Sequence, residues 1–130
     1  MARRAPARGV PAFFLSYWLP VLLYLTIIFF LSAQPSLTPP LQFTNSDKLY
    51  HLAEYFGLGF LVVRAIRASA PSMRVVNAAL VALCFGIVVG TSDELFQSTV
   101  PGRQCDPFDL MADTAGVLFA QLVTLAMAKE

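Results

Sequence analysis

From Phe13 to Leu31 the chain runs for 19 residues without a charged side chain. A stretch of that length crosses the hydrocarbon core of a bilayer as a helix. Three further stretches, about 47–68, 75–97 and 107–128, are apolar through their middles and polar mainly at one end. Hydrocarbon leaves backbone groups no water to bond, so apolar segments of this length must satisfy their hydrogen bonds internally, as helices. The expected fold is therefore an all-α membrane protein with four transmembrane helices, about 13–31, 47–68, 75–97 and 107–128, in one domain covering residues 1–130. Hydrophobic residues make up 57% and charged residues 13%, against about a quarter charged in an ordinary soluble domain. A net charge of +1, with no basic stripe carrying interleaved aromatics, argues against a nucleic-acid partner.

Residues 1–10 hold Arg3, Arg4 and Arg8 and no acid, and Leu31-Ser32-Ala33 resembles a signal-peptide cleavage site. The apolar run exceeds the usual 7–15-residue signal core, so an uncleaved first helix is expected, bent at Pro20. Residues 33–46, with three prolines and several polar turn formers, read as a loop. Thr44, three residues before Asp47, fits a capped start for the second helix. Pro71-Ser72 and Pro101-Gly102 mark turns, and Asp106-Pro107 is an N-cap acid followed by proline at the first helical position. Cys84 reads as a small core residue too distant from Cys105 for a disulfide. Cys105, without a second cysteine or a neighbouring histidine, is a weak metal ligand.

Four spans put both termini on one side. Arg3, Arg4, Arg8, Arg64, Arg67, Arg74 and Lys129 fall on that side, and only Lys48 and Arg103 on the other. Basic residues in short loops stay in the cytoplasm, so both termini are expected there. The acids then gather in the outer half, with Glu130 the one exception. Glu54 and Asp113 each lie seven residues inward from Asp47 and Asp106, roughly 10 Å at 1.5 Å per residue. Their side chains are too short to reach water from that depth, so they must face a partner, an ion or a wet cavity. Asp47, His51, Glu54 and Tyr55 share one face of the second helix, Asp93 and Gln97 one face of the third, and Asp106, Asp109, Asp113 and Gly116 one face of the fourth. Gly116 on that stripe would let a neighbouring helix approach closely.

In order and spacing these pieces resemble the VanZ-like family of small bacterial membrane proteins. The matching residues are Leu31-Ser32-Ala33-Gln34-Pro35, Asp47-Lys48-x-x-His51, Asp93-Glu94-x-x-Gln97, Pro101-Gly102-Arg103, and Asp109 with Asp113-x-x-Gly116. The family is named for a protein associated with resistance to the glycopeptide antibiotic teicoplanin, so the resemblance implies a multi-pass membrane fold and a place in cell-envelope biology. Where this chain has Asp113, the family more often has asparagine; the extra acid favours a cation or carries a proton.

The residues leave the chemistry open between three classes. As an enzyme, the chain would carry out phosphoryl or acyl transfer on a membrane substrate, with His51 as base, Glu54 or Glu94 as acid or metal ligand, and Arg103 holding an anion. As a binding or envelope-modulating protein, the same residues, with Lys48, Asp93, Gln97, Asp109 and Asp113, would form a static network around a membrane lipid or lipid-linked envelope precursor. A small transporter is the third. A divalent cation is a possible cofactor, with His51, Glu54, Glu94 and Asp113 as candidate ligands. The plainer alternatives are an interhelical hydrogen bond for His51, helix capping for Asp47, Asp106 and Asp109, and an ion pair between Arg103 and Asp106 or Asp109.

Overall fold

The structure, a computed structural model, describes residues 9–35 and 43–128. Arg3, Arg4, Arg8, Lys129, Glu130 and most of the proline-rich loop, on which parts of the sequence reading rest, lie outside the described residues. Among those described, the chain forms four helices and no strand: α1 (Val10–Ser32), α2 (Ser46–Ser69), α3 (Val75–Gln97) and α4 (Pro107–Met127). Each has 21–24 residues and is apolar enough to cross a membrane. This is a multi-pass membrane protein.

The helix starts follow local chemistry. α4 opens at Asp106, whose carboxylate accepts a hydrogen bond from the Phe108 N–H at 2.8 Å, with Pro107 at the position where a missing N–H costs nothing. α2 differs from expectation. Its N-cap is Asn45, in the left-handed region at φ 65°, and Thr44 stays in the preceding turn. Asparagine tolerates that backbone conformation far better than a β-branched threonine would. α1 runs through Pro20 as one continuous helix.

Packing is dominated by α2 against α4, with α3 lying against both and α1 against α2 and α3 only. Two glycines allow it: Gly59 on α2, where a methyl group would come 3.1 Å from the Val117 backbone, and above all Gly116 on α4. A methyl group on Gly116 would run into the backbone carbonyl of Leu52 and the backbone nitrogen of Phe56, so α4 sits directly on the backbone of α2. Below this crossing the seam is apolar: Leu58 and Val62 on α2, Ala78 and Ala82 on α3, and Val117 and Ala120 on α4 are all buried. Gln121 and Thr124 are the buried polar residues there; Gln121 donates to the carbonyl of Gly59 at 3.2 Å and Thr124 to that of Ala120 at 2.9 Å. On the outside, Leu22, Ile27 and Phe30 of α1, Leu80 and Val88 of α3, and Phe119 of α4 are exposed, as a surface turned toward lipid requires.

Cys84 belongs to that outer surface. Its expected place in the core is therefore corrected: the small residues Ala82 and Gly86 two positions either side turn inward, and the 100° step per residue carries Cys84 away from them. Cys84 and Cys105 are both free thiols.

Candidate functional site

At one end of the bundle α2, α3 and α4 bring their polar faces together. Lys48 stands at the rim. Its Nζ pairs with Asp47 Oδ2 at 2.7 Å, with Asp106 Oδ2 at 2.6 Å and with Asp109 Oδ1. One ammonium thus joins the first turns of α2 and α4, and it holds the Asp106 carboxyl below the usual carboxylate range. Capping accounts for Asp106, as expected, whereas the anticipated pairing of Arg103 with Asp106 or Asp109 is not what forms. Lys48 takes both acids, and Arg103 Nη1 instead donates to the Gln34 carbonyl at 3.3 Å, tying the α3–α4 loop to the end of α1.

One turn below Lys48 comes His51. Its Nδ1 lies 2.8 Å from Asp113 Oδ1, and its Nε2 lies 3.6 Å from Asp109 Oδ2. Burial deepens in step: the Lys48 side chain is 25% exposed, that of His51 13%, and that of Asp113 1%. Asp113 has room because it lies over Gly90 of α3, where a methyl group would come 3.2 Å from its Oδ2. The Asp113–His51 contact has a direct chemical consequence. An ionised carboxylate only accepts hydrogen bonds, so in the neutral ring it draws the proton to Nδ1. The Nε2 lone pair is then left facing the acids of α3 and α4.

Those acids are Glu94 and Asp109. Glu94 is 2% exposed. Its Oε2 accepts the Asp106 backbone N–H at 3.1 Å, and its Oε1 has no hydrogen-bond partner. One ligating atom each from His51, Glu94 and Asp109 lie within 4.8 Å of one another. Asp93, the residue before Glu94, also points inward. It accepts from the Tyr55 hydroxyl at 3.2 Å, while its Oδ1, like Asp113 Oδ2, has no partner. Gln97 donates to Ser32 Oγ at 3.2 Å, which brings the end of α1 to the same cluster. Glu54, one turn below His51, is half-buried and lies within electrostatic reach of His51, Asp93 and Asp113.

The three helices therefore bring His51, Glu54, Asp93, Glu94, Gln97, Asp109 and Asp113 to the same end of the bundle, with His51, Glu94 and Asp109 closest together. Arg103 stands at the margin, and Cys105 is exposed and outside the set. Among the described residues, His51, Glu94 and Asp109 form a group whose ligating atoms lie close enough together that they could hold a metal ion. Of the other two expected ligands, Asp113 lies against the Nδ1 side of the imidazole and Glu54 one turn below it. One contributor escaped the sequence reading: Ser32, a polar group at the polar end of α1, which is the signal that would have found it. Tyr55, already placed on the shared face of α2, adds its hydroxyl to the cluster.

Buried, unpartnered carboxylate oxygens are rare because each costs about 1–3 kcal/mol or more. Three of them within one cluster mark a place where protons, water, a cation or a ligand's donors complete the network. A cleft of about 510 Å³ lies elsewhere, at the opposite end of the bundle beside Arg64 and Arg67, and has no part in this chemistry.

Compared with known proteins, residues 14–128 match the VanZ/LLP1 family. No curated protein and no solved structure shows significant similarity to the chain.

Proposed function

The chain belongs to the VanZ/LLP1 family, and from that premise we propose that its polar site receives the head group of a cell-envelope lipid or lipid-linked envelope precursor, on the outer side of a bacterial cytoplasmic membrane. The observation that carries this reading is the set of unpartnered oxygens on Asp93, Glu94 and Asp113 beneath the Lys48 rim. A purely structural network gains nothing from leaving acceptors unbonded in an apolar bundle. A head group that supplies hydroxyl, ammonium or cation partners satisfies them. Lipid reaches such a site laterally, between helices whose outer faces are apolar.

The orientation follows from the distribution of basic residues. Arg64, Arg67 and Arg74 stand at the end opposite the site, with the N-terminal arginines and Lys129 assigned to the same side by sequence. Under the positive-inside rule that end is cytoplasmic, and the acid cluster faces outward, where wall precursors and glycopeptide antibiotics meet the membrane.

A second reading, acid–base catalysis on the same ligand, is favoured by the Asp113–His51 pair, which presents Nε2 as a proton acceptor. Both readings are tested by deleting the gene and measuring lipid-linked precursors and glycopeptide susceptibility. A changed profile restored by wild-type protein but not by Glu94→Gln supports the site; an unchanged profile and unchanged susceptibility remove the envelope reading.

A further inference from the structure

The site holds more carboxylates than groups able to carry positive charge. Lys48 at the rim already serves three of them. Below it the His51 ring stands between Asp113 and the inner oxygen of Asp109, one imidazole set among several acids, so an anionic head group arriving here would meet mostly acids. Placing like charges side by side in a low-dielectric setting is costly unless a counter-charge sits between them.

We propose that His51, Glu94 and Asp109 bind a first-row divalent cation, Mn²⁺ or Zn²⁺, with Asp113 as the residue that orients the histidine. This rests on the reading of the site given above and names what an anionic head group would bind there. Three features of the geometry support it. The three side chains present one ligating atom each within 4.8 Å of one another. A cation with nitrogen and oxygen ligands holds them at about 2.0–2.2 Å, so closure draws these side chains together by about an ångström, within reach of side-chain rotation. Each of the two acids keeps one oxygen uncommitted. Asp109 Oδ1 is held by Lys48, leaving Oδ2 near His51 Nε2; Glu94 Oε2 is held by the Asp106 N–H, leaving Oε1 buried and without a partner. Finally, a carboxylate on the remote nitrogen of a ligating histidine is the usual outer support of a metal site, fixing the ring and raising its basicity. Asp113 stands in that place at 2.8 Å.

The donor set selects the metal class. One imidazole with two carboxylates is harder than the sulfur-rich sets and softer than the all-oxygen cages of magnesium and calcium. Three protein ligands also leave coordination positions for water or for a phosphate oxygen of a lipid head group.

The test uses the full chain in lipid nanodiscs, stripped of metal and titrated with Mn²⁺ under electron paramagnetic resonance. One saturable Mn²⁺ per chain, displaced by Zn²⁺ and showing nitrogen coupling that disappears in His51→Ala, is the expected result. Glu94→Gln should weaken binding at least tenfold, and Asp113→Asn by about 10–100-fold, with the metal-free proteins unfolding at or above the wild-type temperature. Absence of saturable binding, or equal binding by wild type and Glu94→Gln, overturns the proposal. Envelope lipid retained in chelator by a chain that binds no Mn²⁺ overturns the cation alone. Mn²⁺ bound without any retained lipid supports the cation and overturns the lipid reading.

Discussion

Asp113 of α4 reaches across the helix interface to Nδ1 of His51 on α2 at 2.8 Å, and so decides which ring nitrogen faces the rest of the site. The pair joins the two most closely packed helices at the depth where water gives out. Asp113→Asn should keep the contact but change its sense. An amide can donate to Nδ1 and push the ring proton to Nε2, so activity or ligand binding should fall at least tenfold with little loss of membrane abundance. Asp113→Ala, which strands the imidazole, should cost abundance as well. Complementation assays paired with quantitative blots separate the two.

Lys48→Met tests the rim. It leaves the largely buried Asp109 without its main partner and should destabilise the protein by about 1–3 kcal/mol, read as a lower unfolding temperature in detergent. Adding Asp109→Asn should recover part of that loss. A Lys48→Met protein as stable as wild type would show that the ammonium does not hold α2 and α4 together.

Gly116→Ala tests the helix crossing. The added methyl meets the Leu52 carbonyl and the Phe56 nitrogen, backbone atoms that cannot turn aside. Overpacking of this kind costs about 1–3 kcal/mol or more. Because it separates α2 from α4, it should also lengthen the His51–Asp113 contact and impair function. Ala82→Gly, in the apolar seam below, should lower stability without impairing function in proportion.

The two native cysteines report orientation. Cys105 lies in the exposed α3–α4 loop at the polar end, and Cys84 on the lipid-facing side of α3. A membrane-impermeant maleimide added to intact cells should label Cys105 and spare Cys84. Labelling of Cys105 only after the cytoplasmic face is opened would invert the topology.

Much of this was legible in the sequence, and the parts that were not share a physical cause. Four apolar runs of bilayer length leave hardly any alternative to four helices. The spacing of His51 with Asp47, and of Asp113 with Asp109 and Gly116, shows which side of α2 and α4 turns inward. Rotation of α3 was harder. Asp93 and Glu94 are adjacent, about 100° apart, and both are buried only because α2 lies on one side of them and α4 on the other. Spacing along one helix carries no such information, and the same gap misplaced Cys84. Lys48 shows a further limit. Its long side chain crosses to α4 and takes acids that sequence proximity assigns to Arg103. Which acid among Glu54, Asp109 and Asp113 completes a metal group depends on sub-turn differences in depth between two helices, a quantity set by the Gly116 crossing.

The account rests on the buried acids being there for a ligand rather than for the fold, and Glu94→Gln measures this most directly. The substitution keeps the shape of the side chain, removes its charge and leaves an oxygen for the Asp106 N–H. The unfolding temperature of the purified, metal-free protein should stay level or rise, because a buried charge has been removed, while complementation of the deletion strain is lost. A Glu94→Gln protein that complements fully, or one that fails only because it unfolds at a lower temperature, would contradict the account.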